Sequence, residues 1–421
     1  MASLDTDAST SLPTSTNVLE PHVATTPLVV NVGTRKSLLA LKQTDIIIDL
    51  LKQAWPGYEY KVHAHSTTGD KNQVTALHEI GAKSLWTAEL EQLLMEREVD
   101  IIVHSLKDMP TQLPKGCSIG TITKRGDPRD ALVLHPSLPE GTTLSSLPKD
   151  STIGTSSVRR SAQLKRLYPH LRFQSVRGNV GTRLRKLDES NLNNSRGHGT
   201  KIGDARTAEE DDQGKPEYSG IILAAAGLLR LDQGHRISRY MSSKNMEDVQ
   251  GEDGVATQRK GILHAVGQGA LGIEIRHGDE RVMEMLKPIN DHKTSLACLA
   301  ERSLMRTLEG GCSVPIGVET EWVGGTSSDP VSAVSSAATS SGLEGAAPSS
   351  EEGDQLVVRS IVVSLDGTDY VEATLQRAIN TSEEADQLGW EVAGRLVEQG
   401  ADKILENINL NREIIEEQGD A

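Results

Sequence analysis

Apolar and polar positions along this chain follow two alternating periods. Leu28–Val32 (LVVNV) reads as a buried strand, followed by Gly33 and Thr34. A helical pattern then runs from about Ser37 to Ala54, carried by Leu38, Leu41, Ile48 and Leu51, until Trp55-Pro56-Gly57 ends it. Ser84–Glu98 predicts a second amphipathic helix leading into a strand at Asp100–His104. Ser151–Gly154 predicts a strand that turns into a helix near Ser156, and Arg172–Val176 leads likewise into Gly178–Leu187. Gly220–Ala224 is a further apolar strand. Strand–helix alternation at this spacing predicts α/β architecture with largely parallel sheets. The C-terminal part differs. Leu356–Ser364 and Tyr370–Gln376 flank Asp366-Gly367, a hairpin signal, and a long helix is expected from Ser382 to about Asn407. That pattern predicts a separate small α+β domain.

Three stretches break the pattern. Residues 1–27 are rich in Ser, Thr and Pro, 189–217 are almost wholly polar, and 324–355 are Gly, Ser, Ala and acid. None can bury enough apolar surface to offset chain entropy, so a disordered tail and two polar insertions are expected. Over 421 residues, two or three domains are then expected.

Charge changes the picture next. The chain carries 44 Lys and Arg against 59 Asp and Glu, a formal charge of −15. A general coat of nucleic acid is disfavoured, and aromatic residues, 3% of the chain, are too few for a base-stacking surface. The cysteines are Cys117, Cys298 and Cys312, with no CxxC pair and no zinc-knuckle spacing, so no metal is expected. No apolar run approaches the roughly 18 residues of a membrane helix, and residues 1–27 contain no Lys or Arg of a secretory or mitochondrial leader. A reducing, cytoplasmic location and no membrane partner are expected.

Against that acidic background, Thr155–Lys186 holds nine Lys and Arg and no Asp or Glu. Arg159 and Arg160 fall in a helix's first turn after Gly154-Thr155-Ser156-Ser157, where cations oppose the helix dipole while the free N–H groups attract an anion. Arg177-Gly178-Asn179 repeats the placement, and Gly33-Thr34-Arg35-Lys36-Ser37 is a weaker third case. Arginine forks suit carboxylates and phosphates. Val103–Pro110 (VHSLKDMP) follows a buried strand, where open α/β sheets place ligands. Asp108 is a candidate general base or stabiliser of a cationic intermediate, and Lys107 a candidate carboxylate partner. A plain Lys–Asp surface turn reads equally well, and His104 reads as structural. Leu308–Pro315 (LEGGCSVP) suggests an accessible thiol at Cys312, against the commoner buried, inert cysteine; Cys117 and Cys298 read as structural. Gly267–Gly272 matches GxGxxG, but a helix-like segment precedes it and the strand Ile273–Ile275 follows, the reverse of a dinucleotide site.

Together these segments resemble the hydroxymethylbilane synthase family, also called porphobilinogen deaminases. The resemblance is carried by GTRKSLLALKQ (33–43), VHSLKDMPT (103–111), KRGDPRDAL (124–132), IGTSSVRRSAQL (153–164), VRGNVGTRLRKLD (176–188), ILAAAGLLRL (222–231), GQGALGIEIR (267–276) and LEGGCSVPIG (308–317). It implies two doubly wound lobes of periplasmic-binding-protein type joined by hinge strands, plus a small α+β domain. Mapped here, domain 1 would be 28–124 with 267–290, domain 2 would be 125–266, and domain 3 would be 291–421.

The resemblance also implies a transferase. Porphobilinogen, a pyrrole bearing acetate and propionate, would lose ammonia to give an azafulvene. Four such units would be joined head-to-tail on a dipyrromethane cofactor attached by a thioether to Cys312, and the linear tetrapyrrole hydroxymethylbilane would be released. Asp108 would be the catalytic carboxylate, aided by Lys107 and Arg35. Lys107, Asp108, Ser105, Thr155, Ser157, Arg159, Arg160, Gly178, Arg183 and Trp86, where the family often has Phe, would hold the cofactor. Arg35, Ser37, Arg177, Arg230 and Gln268 would meet substrate. A monomer with the small-molecule substrate as its partner is expected. Two other readings use the same residues: a non-catalytic two-lobed carboxylate binder, or an RNA binder using 155–186.

Overall fold

A computed structural model describes residues 28–67, 87–190, 217–244, 246–250, 256–308, 314–324 and 354–408, with 246–250 and 256–260 described by backbone alone. The tail 1–27, most of both polar insertions, Trp86 and Cys312 lie outside the described residues.

The first lobe is built on β1 (Leu28–Arg35), α1 (Leu38–Ala54), β2 (Tyr58–His65), α2 (Ala88–Met95), β3 (Ile101–Ser105), β4 (Cys117–Ile122) and, from much later in the chain, β12 (Leu271–Arg276) and α6 (Glu280–Leu286). Its strand order is β2-β1-β3-β12-β4. β2, β1 and β3 are parallel; β12 runs antiparallel to both β3 and β4. The second lobe repeats this plan with β5 (Asp130–Leu134), β6 (Thr152–Gly154), α3 (Val158–Leu167), β7 (Arg172–Gln174), α4 (Val180–Asp188), β8 (Gly220–Ala224), α5 (Ala225–Arg230) and β9 (Arg239–Met241). Its order is β7-β6-β8-β5-β9, with β5 as the reversed strand. The expectation of largely parallel sheets therefore holds for strand direction, with one reversed strand in each lobe.

Those reversed strands arise from two crossings. The chain leaves lobe one after β4 and enters lobe two as β5; it returns through 261–270 as β12. The crossings touch where Gly126 N donates to Gly269 O at 3.1 Å. Gly269 has φ +88, and a Cβ there would lie 2.5 Å from Gly126 O, so the crossing admits only glycine. The segment ahead of Gly267, expected to be helical, is instead β11 (Ala256–Lys260), hairpinned to β10 (Met246–Gln250), followed by extended chain. A strand still follows the glycines, so the GxGxxG stretch is a crossing, not a dinucleotide turn.

Lobe two shows why these strands read as continuous apolar runs. Ala131, Val133, Ile221 and Leu223 pack into one buried cluster, while Leu132 and Ile222 pack into another. Successive side chains point to opposite faces, and both faces are covered. Each such Leu or Ile contributes about 1.5–3 kcal/mol on burial. The third unit stacks the sheet β13 (Ile316–Val323), β14 (Gln355–Val363) and β15 (Tyr370–Ala378) on α7 (His292–Thr307) and α8 (Ser382–Glu398). The long C-terminal helix expected to Asn407 is broken: Gly400 has φ +100, and residues 401–408 resume as a separate short helix.

Candidate functional site

The site side chains lie on the strand ends β1, β3, β6, β7 and β8 and on the helices that follow them. At the ends of β1, β6 and β7, a hydroxyl or amide caps the next helix. Ser37 accepts from Ala40 N at 3.3 Å, Ser157 from Arg160 N at 3.5 Å, and Asn179 from Thr182 N at 2.8 Å. Capping satisfies otherwise orphaned N–H groups and fixes where each helix starts. Gly178, at φ +110, makes the sharp turn into α4. β3 ends in a single 3-10 turn, Leu106–Asp108, which projects Lys107 and Asp108. Arg302 of α7 donates to the carbonyls of Met109 (3.4 Å) and Pro110 (2.5 Å), so the third unit braces the chain just after Asp108.

The two lobes face each other across a cavity of about 890 Å³. From lobe one it is lined by Arg35, Ser37, Ser105, Lys107 and Asp108, and from lobe two by Arg160, Arg177, Gly178, Arg183 and Arg230. Among the described lining residues the carboxylates are Asp108 and Asp188, against nine Lys and Arg. The fields of the lobes interpenetrate. Burial pushes the Lys107 ammonium below the usual lysine range, opposed by Asp108 and reinforced by Arg160 of the other lobe. Burial likewise lowers Arg183 to about 10, with Arg160 adding to the shift and Asp108 opposing it. Arg230 falls to about 10 through burial. All three are partly withdrawn from solvent, so an arriving carboxylate offers a charge partner that bulk water supplies less fully there.

Four expected site residues point elsewhere. Arg159 Nη1 donates to Asp130 Oδ2 (2.7 Å) and Leu263 O (2.6 Å), and Arg159 is not among the lining residues. Gln268 Nε2 donates to Pro128 O (2.8 Å) and Asp130 Oδ1 (2.9 Å), inside the crossing. Thr155 is buried, accepting from Ser157 N at 3.2 Å, and Ser157 serves as the cap above. Arg160 does both tasks: its Nη2 and Nε hold Asp130 Oδ1 at 2.7 and 3.0 Å while the side chain borders the cavity.

Asp130 is thus the hub behind the site. Burial, the largest influence, would raise its pKa; Arg159 and Arg160 overcome it and hold the carboxyl well below the usual range. Asp130 lies within KRGDPRDAL, where nothing local marks it as a partner of the arginines. Gln43, hydrogen-bonded to Ser105 at 2.8 Å, was also missed, as were Ser156, Asp188 and Arg236 in the lining. Cys298 is fully buried and burial pushes its thiol up to about 12; Cys117 is raised to about 12 for the same reason. Among the described residues no helix is long and apolar enough to cross a membrane.

Sequence comparisons with known proteins give one family. The profile described as "Porphobilinogen deaminase, dipyromethane cofactor binding domain" matches residues 30–284, and "Porphobilinogen deaminase, C-terminal domain" matches 295–332. Porphobilinogen deaminase of Yarrowia lipolytica is 46% identical over 384 residues, covering 90% of this chain and 93% of its own. That of Neurospora crassa is 44% identical over 386 residues, covering 91% and 95%. That of Saccharomyces cerevisiae is 41% identical over 391 residues, covering 92% and 99%. Among solved structures, the periplasmic aliphatic sulphonate binding protein SsuA from Escherichia coli is a distant likeness. It is 11% identical, with TM-score 0.30, over 68% of this chain and 71% of that one. The fold rests on the strand order above.

Proposed function

The chain belongs to the porphobilinogen deaminase family, and on that premise we propose how its cleft performs a transferase reaction that joins four porphobilinogen units head-to-tail. The observation that carries this reading is the cavity itself. Its many cations, supplied by both lobes, suit a chain that gains two carboxylates with every ring, and they line the same cavity as the carboxylate of Asp108.

The residues present fit a dipyrromethane group: cationic and hydroxyl donors at three strand ends would hold its carboxylates, and Asp108 would accept from pyrrole N–H. When bound, through a thioether that we assign to Cys312, the group supplies the nucleophilic pyrrole carbon on which the chain is built. Lys107, Arg160 and Arg183 are the residues that would hold it, with Ser105 beside them. Arg35, Ser37, Arg177 and Arg230 orient the incoming substrate through its acetate and propionate. Asp108 then stabilises the positive charge that develops on the substrate ring as its aminomethyl C–N bond breaks and ammonia leaves. The new carbon–carbon bond forms at the carbon that lost ammonia, and the ring proton is lost to a base, a role we assign to Asp108. Arg159 and Gln268 act through Asp130, as positioning residues for Arg160.

In this reading domain 1 comprises 28–124 with 267–290, domain 2 comprises 125–266, and domain 3 comprises 291–421. Action as a monomer belongs to this reading; free Cys117 and Cys298 support a reducing, cytoplasmic setting. Incubation with porphobilinogen tests the proposal. It expects one ammonia per substrate consumed and a product that yields porphyrin on oxidation. Binding of porphobilinogen with no ammonia released would favour the non-catalytic carboxylate binder.

A further inference from the structure

We propose that Arg236 is a carboxylate dock used late in chain elongation, kept occupied by Asp188 until substrate displaces it. The inference rests on the reading of the cleft as a site of elongation.

Asp188 ends α4, and Arg236 ends the short turn Gly234–Arg236 that follows α5. Both line the cavity. Their pairing is a fork: Arg236 Nη1 donates to Asp188 Oδ2 at 3.1 Å and Nη2 to Oδ1 at 2.6 Å. A ligand carboxylate would take the same two donors in the same geometry. Asp188 is therefore an internal stand-in for such a ligand.

Contrast with Asp130 shows which pair can exchange. Asp130 is fully buried, gripped by two arginines and Gln268. Breaking that cluster would strand buried charges. The Asp188 side chain is 40% exposed and that of Arg236 20% exposed. A pair so open to solvent is weak and readily re-paired. An acid on a wall that must accept polycarboxylates otherwise works against binding; as a removable cap it spares Arg236 from desolvation while the site is empty.

Position gives the timing. Asp188 lies five residues beyond Arg183 on α4, about 7.5 Å along the helix axis at ~1.5 Å per residue. A short chain held at Arg183 does not need Arg236. A longer one extending along this wall meets it next. The exchange leaves Arg236 paired to a substrate carboxylate and Asp188 ionised and hydrated, with no proton moved.

The test uses full-length enzyme given limiting porphobilinogen, quenched at intervals, with the ladder of covalent pyrrole adducts read by intact-mass spectrometry. Arg236→Gln should raise the fraction arrested after the second or third addition several-fold, and Arg236→Lys should recover part of the loss. Asp188→Asn should act oppositely, lowering the arrested fraction, because it uncaps the dock. If Arg236→Gln does not fold, Asp188→Asn carries the test alone by its sign. Equal slowing of every addition by both variants, as expected for a mere strut between α4 and the turn, would overturn the proposal, as would unchanged ladders in both. No pyrrole ladder in the unmodified enzyme would instead overturn the functional reading on which it rests.

Discussion

Arg159 and Arg160 are neighbours in sequence with different work. Both ionise against Asp130, yet only Arg160 borders the cavity. Asp130→Asn should cost about 3–5 kcal/mol of stability, because it leaves two buried guanidinium groups without their counter-ion. Urea unfolding measures this, and a change below about 0.5 kcal/mol, the range of an inert surface substitution, would contradict it. The pH sign follows from the depressed carboxyl. Its stabilisation is complete above the unfolded value of about 3.9 and is lost only as pH falls through the lower folded value, so it is constant between pH 5 and 8. Asp108→Asn keeps the shape but loses the charge; ammonia release should fall by about 10²–10⁴ while substrate still binds. Lys107, lowered by burial, should lose its proton at a lower pH than an ordinary lysine. KM should then rise with pH on the alkaline side, and Lys107→Arg should abolish that rise because arginine stays charged. None of the partners of Asp130 was readable in advance. They lie 29, 30 and 138 residues away, and no local period links them.

At the level of strands and helices, what the sequence shows best is what capping and turns decide locally. Ser37, Ser157 and Asn179 stand within one or two residues of the expected helix starts, because a cap needs only its own next turn. β2 was not foreseen. It is an edge strand with most side chains at least partly exposed (YEYKVHAH), so its pattern lacks a buried run. The reversed strand β5 pairs only with segments about 90 to 110 residues further on, which no local pattern reveals. The hairpin at Asp366-Gly367 was readable, but not its use. Its tip rests on α3, the helix of Arg159 and Arg160. Lys165 Nζ donates to Leu365 O at 2.8 Å, and Arg166 lies 4.3 Å above the Tyr370 ring. Gly367 has φ +87, and a Cβ there would fall 2.7 Å from Arg166 N. Gly367→Ala should therefore lower stability by about 1–3 kcal/mol, read as a drop in melting temperature; an unchanged melt would mean the tip does not hold α3.

For the whole molecule, a charge of −15 concealed the chemistry. The acids are spread over the chain, while cations from both lobes gather in one cleft, brought together by two crossings that a linear reading cannot place. Expectation and structure agree on which strand ends carry the site. They differ on which side chains enter it, because Arg159 and Gln268 pair with Asp130, a partner far from both in sequence. The central claim is a growing chain anchored on this protein and served by Asp108. Intact-mass measurement of the purified protein tests it most directly. The account predicts a mass above that of the 421-residue sequence by a two-pyrrole adduct, absent in Cys312→Ser. An unmodified mass in protein that still turns over porphobilinogen would contradict it.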